Sequence, residues 1–246
     1  YNSEFWDMIE IFESMEIWNG ATPFAAGTIN AKAFKKWLSL LDEGKRLTAT
    51  TGSDTHNIYG DDYFGMTEWL DWLMDIVMKH PEIYPEQMNE KVACLTWLYK
   101  KVWPRLLSWV EQSNTPSTIH NYVYTNGKNQ PQEILQAIRE GHSFISNGPL
   151  VTAEVNGASY GEKAVLKDNT GKLSVHVFSK KPINHLWMYT GADKKVELCA
   201  KADAAEGGFM YDIAADELDF GDAAWALFVA DGGENNLAIS NPILFA

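Results

Sequence analysis

Six consecutive residues, Gly52-Ser53-Asp54-Thr55-His56-Asn57, carry the side chains of this chain best suited to chemistry. They follow the β-forming run RLTATT at 46–51, and functional residues of α/β folds gather just past C-terminal strand ends. Two positions apart on an extended segment, Asp54 and His56 point the same way, because side chains alternate along a strand. A carboxylate oxygen and an imidazole nitrogen can then reach one divalent metal, and Zn, Mn and Fe all accept such a mixed donor set. Gly52 allows the backbone to turn closely there, and Ser53 or Thr55 can hold the Asp54 carboxylate in place. Taken alone, such a pair more often means a capping Asp and a surface His.

The elements that would position this loop are legible on either side. MEIW at 15–18 reads as a strand that stops at the turn pair Asn19-Gly20. Asn30 can cap a helix whose apolar face is Phe34, Trp37, Leu38 and Leu41, with Gly44 ending it. The order strand, helix, strand is the unit of a parallel sheet or barrel. Residues 60–118 differ. Amphipathic helices fit about 66–79 and about 86–112, and five of the ten Trp fall here. The segment reads as a helical insertion, packed by its aromatics or serving as a lid over the preceding loop.

A strand at 119–125, a short helix from Pro131 to Gly141 and a strand at 142–146 come next. Beyond Gly148-Pro149 the pattern changes to short alternating segments: LVTAEV, KLSVHVF, HLWMYT, GFMYDI, AWALFVA and NPILFA. In LSVHV, Leu173, Val175 and Val177 share one side while Ser174 and His176 share the other. Such segments predict a β-sandwich over 149–246, with the domain boundary near residue 149.

Composition narrows the partners. The net charge is −13, with 12 basic and 19 acidic residues over 1–148 and the remaining excess beyond. An acidic surface repels phosphate backbones and anionic membranes, so neither nucleic acid nor a membrane is expected as partner. No apolar run approaches the length of a membrane span. The two cysteines, Cys94 and Cys199, fall in different expected domains, which argues against a structural disulfide.

The order MEIWNG, helix, RLTATTGSDTHN, strand YVYT, EILQAIREGHSFISNGPL and a β-rich tail resembles the PHP (polymerase and histidinol phosphatase) superfamily, in its carbaryl hydrolase-like branch. GSDTH and SNGP are the specific blocks, and the resemblance covers nearly all of the chain outside 60–118. It implies an α/β fold, the C-terminal part of a distorted PHP-type β/α barrel with a helical insertion, followed by an all-β, immunoglobulin-like sandwich. It implies a metal-dependent hydrolase in which metal-bound hydroxide attacks a phosphoester or related small-molecule ester. Asp54 and His56 would be both metal ligands and catalytic residues. Glu16, Asn19, Asn57 and His120 would line the pocket, although a strand Glu and a turn Asn explain Glu16 and Asn19 equally well.

The family's remaining ligands include an N-terminal His-x-His pair. Here none of the six His precedes residue 56 and no two are spaced that way. Those ligands are therefore expected from an upstream segment or a second chain that completes the α/β domain. About four strands in 1–148 are too few to close a barrel, so Trp37, Leu38 and the strand at 46–51 are expected to leave an apolar surface beside Asp54 for that piece to cover. The alternative is a non-catalytic binding module, a β-sandwich carried on a degenerate α/β remnant.

Overall fold

The computed structural model describes residues 11–20, 24, 27–52, 75, 79, 119–198, 202–233 and 236–246. The chain forms two compact units, one of residues 1–52 with 119–246 and one of residues 53–118. Of the insertion expected at 60–118 only Asp75 and Lys79 are described, and Cys94 and Cys199 lie outside the described residues.

The first unit begins with β1 (Ser14–Asn19), α1 (Ile29–Asp42) and β2 (Thr48–Gly52). β1 and β2 pair in parallel, as the strand–helix–strand order predicts. A bulge between Glu16 and Trp18 breaks the alternation of β1. It buries the consecutive side chains of Ile17 and Trp18 and leaves Glu16 and Asn19 facing outward. α1 starts two residues earlier than its sequence signals suggest. Its cap is Thr28, whose Oγ1 accepts the Ala31 amide at 3.1 Å. Asn30, expected as the cap, is buried and clasps the end of β1 instead: its Nδ2 donates to the Asn19 carbonyl at 2.8 Å, and its Oδ1 accepts the Asn19 amide at 3.3 Å.

The rest of the unit is antiparallel in all but one pairing. β3 (His120–Val123), α2 (Pro131–Arg139) and β4 (Ser143–Ser146) are followed by β5 (Leu150–Val155), β6 (Lys163–Ala164) and β7 (Thr170–Ser179). Then come β8 (His185–Gly191), β9 (Lys194–Glu197), β10 (Ala202–Ala205), β11 (Gly208–Asp219), β12 (Trp225–Asp231), β13 (Leu237–Ser240) and β14 (Ile243–Phe245). A central sheet runs β3-β4-β13-β12, with β8 and β9 continuing from one stretch of β12 and β14 and β6 from the other. A second sheet has the order β10-β11-β7-β5. The exception to antiparallel pairing is β14 with β6.

β12 is the hinge of the whole packing. Its sequence WALFVA is apolar without alternation, the mark of a strand covered on both faces. Trp225, Leu227 and Val229 enter a core shared with Ile17, Trp18, Phe34, Trp37 and Leu38 of β1 and α1. Ala226, Phe228 and Ala230 enter a second core shared with Val151, Val175 and Val177 of β5 and β7. The central sheet is thus the middle of three layers, with α1 and the parallel pair on one side and the second sheet stacked sandwich-fashion on the other.

Three expectations change. The strands near 119–125 and 142–146, read as part of a parallel α/β domain, are antiparallel to each other, and β4 pairs with β13. One sheet therefore runs through both sides of Gly148-Pro149, the place where a domain boundary is expected. Among the described residues the parallel α/β part is one strand pair and one helix, without the further parallel strands a barrel requires. The expected bare surface on α1 is also absent. Trp37, Leu38 and Ala49 are 0%, 2% and 1% exposed, because the central sheet of the same chain covers them. The Trp37 indole further donates to the Leu47 carbonyl at 2.8 Å, which ties α1 to the start of β2.

Two asparagines join the parallel pair to the central sheet. Asn241, 1% exposed, accepts the Ala49 amide at 2.7 Å and donates to the Ala49 and Ser143 carbonyls at 3.3 and 3.0 Å. Asn121 of β3 accepts the Thr51 amide at 3.0 Å and donates to the Thr51 carbonyl at 2.9 Å. Each amide side chain meets β2 as a neighbouring strand's peptide would. The N–H and C=O groups on that edge of β2 are thereby satisfied without another strand.

Candidate functional site at the ends of the parallel strands

β1 and β2 end together: Asn19 lies opposite Gly52, and the Gly20 amide donates to the Gly52 carbonyl at 3.2 Å. The bulge aims Glu16 at this end. One of its carboxylate oxygens, Oε2, accepts from Asn19 Nδ2 at 3.0 Å. The other, Oε1, lies where a side chain on residue 52 would begin, so any Cβ at Gly52 would collide with it. The atom approached is the far end of an exposed, flexible side chain, and Gly52 itself is not in the left-handed region.

The chain then enters Ser53-Asp54-Thr55-His56-Asn57. Asp54, His56 and Asn57 lie outside the described residues. The structure thus brings Glu16, Asn19 and Gly52 together at the threshold of that segment. His120 is exposed on β3, its ring edge-on to Tyr122 with centroids 6.0 Å apart. Its chain neighbour Asn121 holds Thr51, so β3 reaches the same strand end through the backbone of β2. Among the described residues no three His, Cys, Asp or Glu side chains cluster as a complete cation site. Glu16 offers a carboxylate with one oxygen held by an amide and the other over a glycine, a donor that fits a hard or borderline divalent ion.

The other described histidines stand apart from this end. His142 immediately precedes β4, with Nδ1 3.8 Å from the Glu140 carboxylate, and lines a cavity with Thr48 at the beginning of β2. His185 Nδ1 lies 2.7 Å from Glu197 and its ring stacks on Trp187.

His176 belongs to a hydrogen-bonded row that periodicity alone does not reveal. Ser174 Oγ is 3.0 Å from His176 Nε2, and His176 Nδ1 is 2.5 Å from Asp212 Oδ1. The alternation of LSVHV places Ser174 and His176 on one side, but the pairing of β7 with β11 brings in Asp212 from 36 residues away. The order matches a hydrolytic nucleophile, base and acid. It lies, however, on an open strand surface. β7 is paired on both edges, with β5 and β11, so its amides point along the ladders and none is directed at an oxyanion above Ser174.

Burial sets the protonation of two tyrosines. It pushes the Tyr160 hydroxyl far above the ordinary tyrosine range while Tyr160 donates to the Val151 carbonyl at 3.1 Å. It also raises Tyr189, with the nearby Asp231 charge adding to the effect.

No family model, no curated protein and no solved structure matches this chain.

Proposed function

We propose that the chain is part of a metal-dependent hydrolase of the PHP type that cleaves a small phosphoester or related ester. The observation that carries this reading is the placing of Glu16. Its carboxylate meets Asn19 and Gly52 at the C-terminal ends of two parallel strands, at the entry to Ser53-Asp54-Thr55-His56. Asp54 and His56 would hold a divalent cation (Zn, Mn or Fe), with Glu16 at its edge. The remaining ligands would come from an upstream segment or a second chain. A bound cation of this kind lowers the pKa of water and polarises the scissile oxygen. Asn19 fixes the Glu16 carboxylate, and Gly52 keeps the space above β2 clear for it.

A second reading has its own support. The central sheet covers Trp37, Leu38 and β2 within this chain, as a self-contained binding module would require. Metal content and turnover separate the two. In the full-length protein loaded with Mn or Zn, bis(4-nitrophenyl) phosphate should be hydrolysed. Asp54→Asn or His56→Ala should abolish turnover, and Glu16→Gln should lower it, each with an unchanged far-UV spectrum. Turnover that ignores all three substitutions, or a protein that retains no metal after gel filtration, would sink the hydrolase and favour the binding module.

A further inference from the structure

A cavity of about 500 Å³ opens between α1 and the β8–β9 hairpin, and it shares no lining residue with the Glu16 end of the parallel strands. Phe34 and Tyr189 form its floor, ring edge to ring face with centroids 5.9 Å apart, and Phe24 meets Phe34 in the same manner at 5.4 Å. Lys32, Lys35 and Lys195 stand around the mouth, with Asp193 as the sole lining residue of opposite charge.

The charge is unusual for this chain. At a net charge of −13, an anion is repelled by most of the surface, yet here three lysines converge against one aspartate. Lys195 is held in position: its ammonium sits 4.1 Å from the centre of the Trp187 ring and 5.8 Å from that of Tyr189. Lys32 and Lys35 lie one turn apart on one side of α1, and among the described residues neither has an ion-pair partner. A site of this volume with aromatic walls and a few convergent charges suits a small molecule.

We infer that this cavity binds a planar aromatic carboxylate, its ring against Phe34 and Tyr189 and its carboxylate between Lys195 and the α1 lysines. The ring would replace water on an apolar surface, and each ammonium can supply a charge-assisted hydrogen bond to the carboxylate. The inference stands apart from the hydrolase reading and from any metal.

Titration of the full chain with 2-naphthoate, followed by calorimetry, tests it, with 2-naphthamide as the uncharged partner of the same shape. One saturable site is expected for naphthoate. The amide, and naphthoate on Lys195→Gln, should each bind about tenfold more weakly, the loss of one hydrogen bond to a charged group. Lys32→Gln with Lys35→Gln should weaken binding at least as much, whereas Lys163→Gln on β6 should leave it unchanged. All these lysines are exposed, so the variants will fold. Equal binding of acid and amide, indifference to the three pocket lysines, or failure of naphthoate to bind would each overturn the inference.

Discussion

The two faces of β12 are covered in different ways. On one face Trp225, Leu227 and Val229 meet the bulky side chains of α1 and β1, Phe34, Trp37 and Trp18 among them. On the other, Ala226 and Ala230 flank Phe228 and let the second sheet approach closely, with Val151, Val175 and Val177 filling the gap. The first contact is tied by amide clasps from Asn121 and Asn241. The second relies on aliphatic side chains interdigitating between two sheets. A strand can thus carry an α/β cover and a β cover at once when its two alternating residue sets differ in size.

If both covers belong to one cooperative unit, damage to either should lower the same transition. Trp37→Ala removes the largest buried side chain of α1 and its bond to Leu47, and should cost roughly 3–5 kcal/mol. Urea unfolding followed by circular dichroism should show one transition at a lower midpoint. Trp37→Ala and Val175→Ala shifting two different transitions would mean that the faces melt independently.

Asn241→Leu should be the next most damaging change, by roughly 2–3 kcal/mol, because the Ala49 amide would be left buried without an acceptor. An unchanged urea midpoint would show that the clasp is dispensable. On the other face, Val175→Ala should cost about 1–3 kcal/mol through a small cavity between the sheets. A larger loss than for Trp37→Ala would reverse the ranking of the two covers.

The sandwich side also carries a titration test. Burial raises Tyr160, so its neutral form is favoured in the folded state. That contribution is complete below the ordinary tyrosine pKa of 10.0 and is lost progressively as pH rises above it. Absorbance at 295 nm should show the Tyr160 share of ionisation appearing only together with unfolding, and Tyr160→Phe should remove that link. Ionisation of every tyrosine at ordinary pH in the folded chain would contradict it. The smallest effect is expected from Lys172→Ala. Its 2.9 Å pair with Asp216 is on the surface, where water and salt screen it, so the urea midpoint should not move.

These elements were unequally legible in the sequence. Phe34, Trp37, Leu38 and Leu41 repeat at helical spacing, and Leu173, Val175 and Val177 alternate, so α1 and β7 could be placed from local pattern. The partners could not. Whether β4 joins a parallel pair or an antiparallel sheet depends on β13, more than 90 residues later. WALFVA looks the same whether one neighbour covers it or two, and LAIS at β13 is too short to show a period.

At the candidate site, Gly52 was expected to let the backbone turn closely, whereas the structure places the Glu16 carboxylate beside it, an approach that rests on the bulge in β1. Asn30 is a residue type favoured at helix caps but is recruited to the end of β1, with Thr28 capping α1 in its place. The amide clasps of Asn121 and Asn241 carry no sequence signal, since a side chain that imitates a strand is recognisable only beside its partner.

The clasp between Ala49 and Asn241 spans 192 positions of the chain. On a ribosome adding about 5–20 residues per second, Asn241 is made roughly 10–40 s after Ala49. Throughout that interval the apolar side of α1 exists without β12 and β13, the strands that later bury it. The nascent protein therefore presents Phe34, Trp37 and Leu38 to solvent or to chaperones before β12 and β13 can cover them. Synthesis rate and chaperone supply, more than final stability, should then govern how much of it reaches the native state.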